Sequence, residues 1–363
     1  MPQPLRVLLC LTRGFHHQSQ NQIEWRIQSE PSLNTKLEQG TERLNQPVLA
    51  KNELPFPKPR TLTSMPQLFN YGSCCIDHVY QVPHFVAPGE TLSASTYEIF
   101  PGGKGLNQSI AAAKAGARVS HIGAIGEDGQ HLKTLLASQS IETSHLVMEP
   151  SASGHAIIQI NDAGENAIVI FGGTNLGEHQ TLLEQGLKQG SSEDWLLIQN
   201  ETSCNQQAIE LAKSNSMQVA FNMAPMNERA LSLPLSEIDL FIVNETEGAA
   251  LTGESDAERI LDAIASTYPN AQVALTLGDQ GAWYQSRSAR SFAPAARATV
   301  LDTTGAGDTF TGFFLAGLLA MDAPIDALHR ACLAAAISVE RAGAATSIPS
   351  LQEVLQRAAA DAE

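Results

Sequence analysis

The chain has 363 residues and carries 22 Lys and Arg against 38 Asp and Glu, a formal net charge of −16 at pH 7. A like-charged field of that size argues against a nucleic-acid backbone or an anionic membrane as partner, although a local anion site can still sit inside an acidic protein. With 43% hydrophobic residues the length suits one large α/β domain with an appendage, and no stretch approaches the roughly 18 uninterrupted apolar residues of a membrane span.

Residues 1–64 hold 8 basic and 5 acidic residues, are rich in Gln and Asn, and end in the proline-rich "LPFPKPR". They show no sustained apolar period and read as a poorly ordered extension. The apolar run "VLLCLT" is shorter than a secretory h-region and is closed by Arg13. From about residue 68 the pattern becomes regular. Short β-rich runs alternate with helical ones: "VSHIGAI" then "DGQHLKTLLASQ", "WLLIQN" then "CNQQAIELAKS", "QVAFNM", "LFIVNE" then "TEGAALTG", and "QVALTLG". Alternation of this kind predicts a mostly parallel sheet with helices on both faces. Two segments break it. "TLSASTYEI" (91–99) and the pair "HAIIQI" and "NAIVI" (155–170) read as strands without intervening helices, and predict a small antiparallel flap over a site, with its strands within about 79–99 and 155–170. From Gly307 onward the sequence reads as helices only.

The five cysteines, Cys10, Cys74, Cys75, Cys204 and Cys332, are odd in number and form no C-x-x-C pair. Neither a disulfide framework nor a zinc site is indicated, which suits a reducing cytoplasm. The histidines show no metal-ligand spacing.

Two stretches resist explanation as packing. "FPGGKGLNQSIAAAKAGA" (100–117) sets glycines and Lys104 before a helix whose first turn carries Asn107 and Gln108, where both can point into a cleft. The small face of Ala111, Ala112 and Ala115 predicts tight packing of that helix against the sheet. "DTTGAGDTF" (302–310) places Gly305, Ala306 and Gly307 before a helix that opens at about Asp308. Bare backbone at a helix N-terminus is a cradle for phosphate charge. Asp308 is then either a plain N-cap or a base aimed at a hydroxyl in the same pocket. The loop is neither a P-loop nor a dinucleotide loop.

In that order and separation the two stretches resemble the ribokinase-like carbohydrate kinases, and the resemblance runs from about Leu68 to Pro349. "GSCCIDHV" (72–79) is similar to the family's first strand and substrate loop, while "NMAP" (222–225), "NETE" (244–247), "TLGDQG" (276–281) and "GAATSIPS" (343–350) fall where the family has like segments. The resemblance implies a three-layer α/β fold over residues 65–363, with a mostly parallel central sheet and a small projecting β lid. It implies that Asp308 is the base that takes the proton of the attacking hydroxyl, and that Gly305, Ala306 and Gly307 form an anion hole for the transferring phosphoryl group. Asp77, Gly103, Lys104, Asn107 and Glu201 then contact the substrate, and Asn244, Thr276, Gly278 and Gly281 lie against the nucleotide. Asn244 and Glu247 match an N-x-x-E motif that places magnesium, largely through water. Asp302, Thr304, Gly343 and Ser347 match the loops that hold an activating potassium ion.

One position departs from the pattern. Members usually carry Asn two residues before the aspartate matched by Asp77, and here Cys75 offers a weakly polar thiol instead. The implied activity is ATP-dependent phosphorylation of a primary hydroxyl of a small sugar, with D-ribose giving D-ribose 5-phosphate. Cys75 leaves another sugar or a nucleoside as alternatives. A regulator that binds sugar or nucleotide without turnover is the reading from a different class, and the presence of Asp308 in an intact loop speaks against it. The resemblance also implies a homodimer whose flap strands pair.

Overall fold

The computed structural model describes residues 66–361, so the extension expected over residues 1–64 lies outside the described residues. In chain order the elements are β1 (Gln67–Tyr71), β2 (Cys75–Gln81), β3 (Thr96–Gly102), α1 (Lys104–Lys114), β4 (Arg118–Gly126), α2 (Gln130–Ser138), β5 (Leu146–Glu149), β6 (Gly154–Ile160) and β7 (Asn166–Phe171). They continue as α3 (Gln180–Gly186), β8 (Trp195–Gln199), α4 (Asn205–Ser214), β9 (Gln218–Asn222), α5 (Glu228–Leu231), β10 (Leu240–Asn244), α6 (Glu245–Thr252) and α7 (Ala257–Thr267). Last come β11 (Gln272–Thr276), β12 (Gly281–Gln285), β13 (Arg290–Pro294), α8 (Ala306–Leu319), α9 (Pro324–Ser338) and α10 (Leu351–Asp361).

Nine strands form the larger sheet in the order β13-β12-β11-β10-β9-β8-β1-β4-β5. Neighbours from β11 through β5 run parallel, and β12 and β13 extend one edge antiparallel. The near-continuous apolar runs follow from burial on both faces. On one face Leu68, Leu197 and Ile242 pack with Ile110 of α1, Phe313 of α8 and Leu328 of α9. On the other, Phe69, Ile198 and Phe241 pack with Leu183 of α3, Ile209 of α4 and Ile260 of α7. Helix, sheet and helix make the three expected layers.

β1 lies between β4 and β8, so the chain builds the sheet first to one side of β1 and then to the other. A crevice opens at the carboxyl ends of the strands where the order reverses. Polar residues gather there: Asn70 near the end of β1 and Gln199, Asn222, Asn244 and Thr276 as the last residues of β8, β9, β10 and β11.

The second sheet has four strands in the order β3-β2-β6-β7 and projects from strand ends at the same crevice. It differs from the expectation in three ways. Its β3 starts at Thr96 instead of residue 91, because β2 ends at Gln81, the partner of Thr96, and earlier residues have no strand to pair with. The sheet is mixed, since β2 and β6 run parallel while the outer pairs are antiparallel. The first strand among the described residues is Gln67–Tyr71, ahead of "GSCCIDHV", whose second half forms lid strand β2.

The small face of α1 packs against α8 as well as lying over the sheet. A Cβ added to Gly312 of α8 would lie 2.4 Å from the Ala111 Cβ and 2.5 Å from the Ala112 nitrogen. Two helices approach this closely only where side chains are nearly absent, and the approach brings the first turns of α1 and α8 together.

Candidate active site

The head of α8 excludes one of the two readings of Asp308, the plain N-cap. Gly305 is the N-cap, in a left-handed conformation at φ 77° that favours glycine, and the helix begins at Ala306. The expected opening at Asp308 therefore moves two residues earlier, and Asp308 is the third helical residue. Its side chain makes no capping bond. Instead Oδ2 accepts from Asn107 Nδ2 at 3.0 Å and Oδ1 from Gln108 Nε2 at 2.8 Å, both from the first turn of α1. The residue is 7% exposed. Burial pushes its pKa up, while the Lys104 ammonium and the two amide donors oppose that shift. Burial likewise pulls the Lys104 ammonium down, but Asp308, Glu201 and Glu247 outweigh it and hold Lys104 above its ordinary value.

A cavity of about 240 Å³ opens in front of this group, lined by Lys104, Asn244, Glu247, Thr276, Gly305, Gly307 and Asp308 among others. Thr276, Thr303 and Gly307 also line a second cavity of about 510 Å³. Its walls include Gly278, Gly281 and Ala306 and the apolar Ala295, Ala296, Phe310 and Val339. That size and lining suit a drug-sized ligand with a flat apolar part. Apart from the helix's own backbone, no described atom lies within 4 Å of where a Gly307 Cβ would sit, which leaves that side of its backbone open to an anion.

"NETE" is both a helix cap and a cavity wall. Asn244 Oδ1 accepts from the Glu247 nitrogen at 2.9 Å, and Glu247 Oε2 accepts from the Asn244 nitrogen at 3.0 Å, a reciprocal capping box. Asn244 Nδ2 donates to Glu247 Oε1 at 3.1 Å. Burial pushes the Glu247 carboxyl up, against the Asn244 N–H and the Lys104 charge.

The remaining predicted substrate residues meet beside Lys104. Glu201 Oε2 accepts from the Lys104 nitrogen at 3.0 Å and from Ser73 Oγ at 2.5 Å. Gly103 has φ 92°, and a Cβ there would lie 2.9 Å from the backbone of Ser73 and Cys75. Asp77, on β2, lies over Gly102, where a Cβ would come within 2.2 Å of its carboxylate. Cys75 Sγ lies 3.4 Å from Asn175 Nδ2.

Asp302 joins two loops. Its Oδ1 accepts from the Thr304 nitrogen at 2.9 Å and its Oδ2 from the Gly343 nitrogen at 2.8 Å. Burial pushes this carboxyl up, but those N–H groups outweigh it and hold the pKa below its ordinary value. Ser347 bonds within the second loop, its Oγ donating to the Ala344 carbonyl at 2.8 Å.

Sequence reasoning missed Asn70, Ser73, Asn175 and Gln199. Asn175 Oδ1 accepts from the Cys74 nitrogen and its Nδ2 donates to the Cys74 carbonyl, both at 3.0 Å, which straps the loop after β1. The available signal was a lone polar residue inside an apolar run, as in "LFNY" and "LLIQ".

The chain is similar to known proteins over most of its length. The family described as pfkB family carbohydrate kinase matches residues 65–351. A ribokinase of Haemophilus influenzae is 38% identical over 294 residues, 78% of this chain and 96% of that protein. The crystal structure of a Cryptococcus neoformans ribokinase in complex with ADP superimposes with a TM-score of 0.72 at 32% identity, covering 80% of this chain and 99% of that one. The Arabidopsis thaliana ribokinase complexed with ribose and ATP gives a TM-score of 0.71 at 27% identity, covering 80% of this chain and 98% of that one.

Asp77 carries a stability cost that can be measured. Burial first, and then the Glu201 charge, push its carboxyl from 3.8 up to about 6. Between those values the folded protein holds a proton that the unfolded chain releases, so stability falls as pH rises through the window and stays low above it. Asp77→Asn removes the penalty. In urea unfolding the variant should be more stable than the parent by about 1–3 kcal/mol at pH 8, and the gain should vanish near pH 4.

Proposed function

The chain belongs to the pfkB family of carbohydrate kinases, and from that premise we propose that it transfers the γ-phosphoryl group of ATP to the primary hydroxyl of D-ribose, giving D-ribose 5-phosphate. The observation that carries this reading is a buried carboxylate, Asp308, held by two amides at a helix head that also exposes the backbone of Gly305 and Gly307 to the same cavity. The relatives named ribokinase, one of them bound to ribose and ATP, support the choice of substrates.

In this mechanism ATP occupies the larger cavity against Thr276, Gly278 and Gly281, and its terminal phosphate reaches the head of α8. The sugar lies between Asp77, Gly103, Lys104, Asn107 and Glu201. Asn107 Oδ1 is buried with no partner among the described residues, an acceptor left for a bound hydroxyl. Each oxygen of Asp308 accepts one hydrogen bond and keeps lone-pair capacity for the attacking hydroxyl, whose proton it takes. N–H groups of Gly305, Ala306 and Gly307, with the helix dipole and Lys104, stabilise the charge on the phosphoryl group in transit. β2 brings Asp77 over the sugar, and the lid excludes water that would otherwise compete as acceptor.

Two metal ions fit the residues present. Both oxygens of Glu247 already accept from Asn244, so this carboxylate would hold magnesium through water, where the ion would neutralise phosphate charge. Potassium would be held by the loops of Asp302, Thr304, Gly343 and Ser347, which Asp302 ties together directly behind Gly305. A Cβ on Gly305 would lie 2.9 Å from that of Ala344 in the second loop, so the two loops set the shape of the anion site together. The free thiols Cys74, Cys75, Cys204 and Cys332 suit a reducing cytoplasm.

One observation favours a second reading, a different sugar or a nucleoside as acceptor. Cys75 offers a thiol beside Asp77, so one hydrogen bond to a hydroxyl is absent or made by water. A coupled ATP-consumption assay over ribose, deoxyribose, fructose and nucleosides, run in potassium and in sodium, separates the readings. Ribose should give the highest kcat/KM, and turnover should be lower in sodium with folding unchanged. A nucleoside preferred over ribose would overturn the substrate, and equal rates in both salts would overturn the potassium site.

The lid offers a face for a second copy of the chain. On edge strand β7, Ile168, Val169, Ile170 and Phe171 are all at least half exposed, more apolar surface than an edge strand usually leaves bare. We assign this face to a homodimer, which light scattering should find at about twice the chain mass. A monomer at assay concentrations contradicts it.

Asp308→Asn tests the base directly. Asn keeps the size of the side chain and, being neutral, removes the proton acceptor. General-base catalysis typically contributes about 10²–10⁴-fold, so turnover should fall by that order with little change in melting temperature. Near-full activity in the variant would show that Asp308 is structural.

A further inference from the structure

The orientation of the Asp308 donors is set from a distance. The carbonyl oxygen of Gly105 can only accept a hydrogen bond, and Asn70 Nδ2 lies 2.8 Å from it. That fixes the Asn70 amide with its NH₂ toward Gly105 and its Oδ1 as an acceptor. Asn70 Oδ1 lies 2.9 Å from Gln199 Nε2, which must therefore be a donor there. The same nitrogen gives its other hydrogen to Gln108 Oε1 at 2.8 Å. With its oxygen occupied, Gln108 turns its own NH₂ to Asp308 Oδ1. Turning over Asn70 or Gln199 alone sets carbonyl against carbonyl, and turning over Gln108 alone sets NH₂ against the Gln199 NH₂ and carbonyl against the Asp308 carboxylate.

All three residues are fully buried. Gln199 Oε1 has no partner among the described residues, the consequence of pointing both hydrogens along the chain of amides. At the far side Asn70 Nδ2 also donates to Ser109 Oγ at 2.7 Å, and Ser109 Oγ lies 2.8 Å from His121 Nδ1. His121 Nε2 lies 3.3 Å from Cys74 Sγ. The series thus ends on neutral groups at one end and on a carboxylate at the other.

We propose that Asn70 and Gln199 are positioning residues for phosphoryl transfer: anchored on the Gly105 carbonyl, they hold Gln108 in the one amide orientation that donates to Asp308. Without them the Gln108 amide has two orientations of nearly the same shape, and one sets its carbonyl oxygen against the carboxylate. That orientation disfavours the ionised base and turns it from the hydroxyl. Asn70 and Gln199 act through Gln108 and not on the reacting atoms. The proposal rests on Asp308 as the base. The charged group that acts on Asp308 is Lys104, from α1, and it stays the same in every variant below.

The test is a double-mutant cycle on the full chain with Gln108→Met, Gln199→Met and both together, reading kcat, KM for both substrates, the pH profile of kcat and the melting temperature. Gln199→Met should lower kcat about tenfold, near the low end for loss of one hydrogen bond to a charged group, with little change in either KM. The acid limb of its pH profile should move to higher pH, because the carboxylate has lost a donor. In the Gln108→Met background the second substitution should add no further loss of kcat. If Gln199→Met does not fold, Gln199→Glu replaces it: a carboxylate there draws the Gln108 NH₂ to itself, so kcat should fall and the acid limb rise. Unchanged kcat and an unmoved acid limb in a folded Gln199 variant overturn the proposal, as do losses that multiply in the double variant. Unchanged kcat in Gln108→Met alone also overturns this proposal but leaves the assignment of Asp308 as the base standing, because Asn107 and Lys104 still act on the carboxylate and Asp308→Asn tests that assignment separately.

Discussion

The site depends on one contact, the pair of hydrogen bonds from Asn107 and Gln108 on α1 to Asp308 on α8. A carboxylate buried at a helix head is driven toward its neutral form by lost hydration, and a neutral acid cannot take a proton. Two amide donors and the Lys104 charge oppose that drift, and all three come from the first turn of α1. The rest of the local architecture serves to keep these turns together. Gly312 lets the helices touch at backbone distance, and Gly105 lets the start of α1 sit against Gly72, where a Cβ would lie 2.4 Å from backbone atoms. An added methyl at either place separates acid from donors.

The crevice follows from topology and not from any single motif. Because the sheet grows to both sides of β1, the strands on either side end at a shared opening, and their last residues face it. The lid is attached at the same place, through the short link from β1 to β2 and the passage from β3 directly into α1. Gly103 is the joint of that passage, with a positive φ and no room for a side chain. The joint thus ties β3 of the lid to Lys104, whose backbone nitrogen donates to the Glu201 carboxylate.

Much of this was legible in the sequence. "GGKGLNQ" and "TTGAGDTF" each put bare backbone before a helix, and both lie at the site. The alternation of apolar runs gave the parallel sheet, and the unpaired β-rich segments gave the lid. Other features could not be read. Whether Asp308 caps its helix or faces a pocket depends on amides 200 and 201 residues away, and no local pattern reports them. The small face of α1 pointed to close packing but not to its partner, since a sheet and a glycine on another helix accept the same alanines. The start of β3 was misplaced because strand propensity continues where the partner strand has already ended. Asn70 and Gln199 were invisible for a related reason: a lone amide in a buried strand becomes meaningful only beside the other amides.

The central claim is that Asp308 faces the reacting hydroxyl while the head of α8 holds the phosphoryl group. A crystal structure with ribose, ADP, magnesium and a planar metal-fluoride mimic of the phosphoryl group tests it most directly. The account predicts the primary hydroxyl within about 2.6–3.2 Å of an Asp308 oxygen, with the mimic on the backbone N–H groups of Gly305 to Gly307. A hydroxyl turned away from Asp308, with the mimic seated elsewhere, would contradict it.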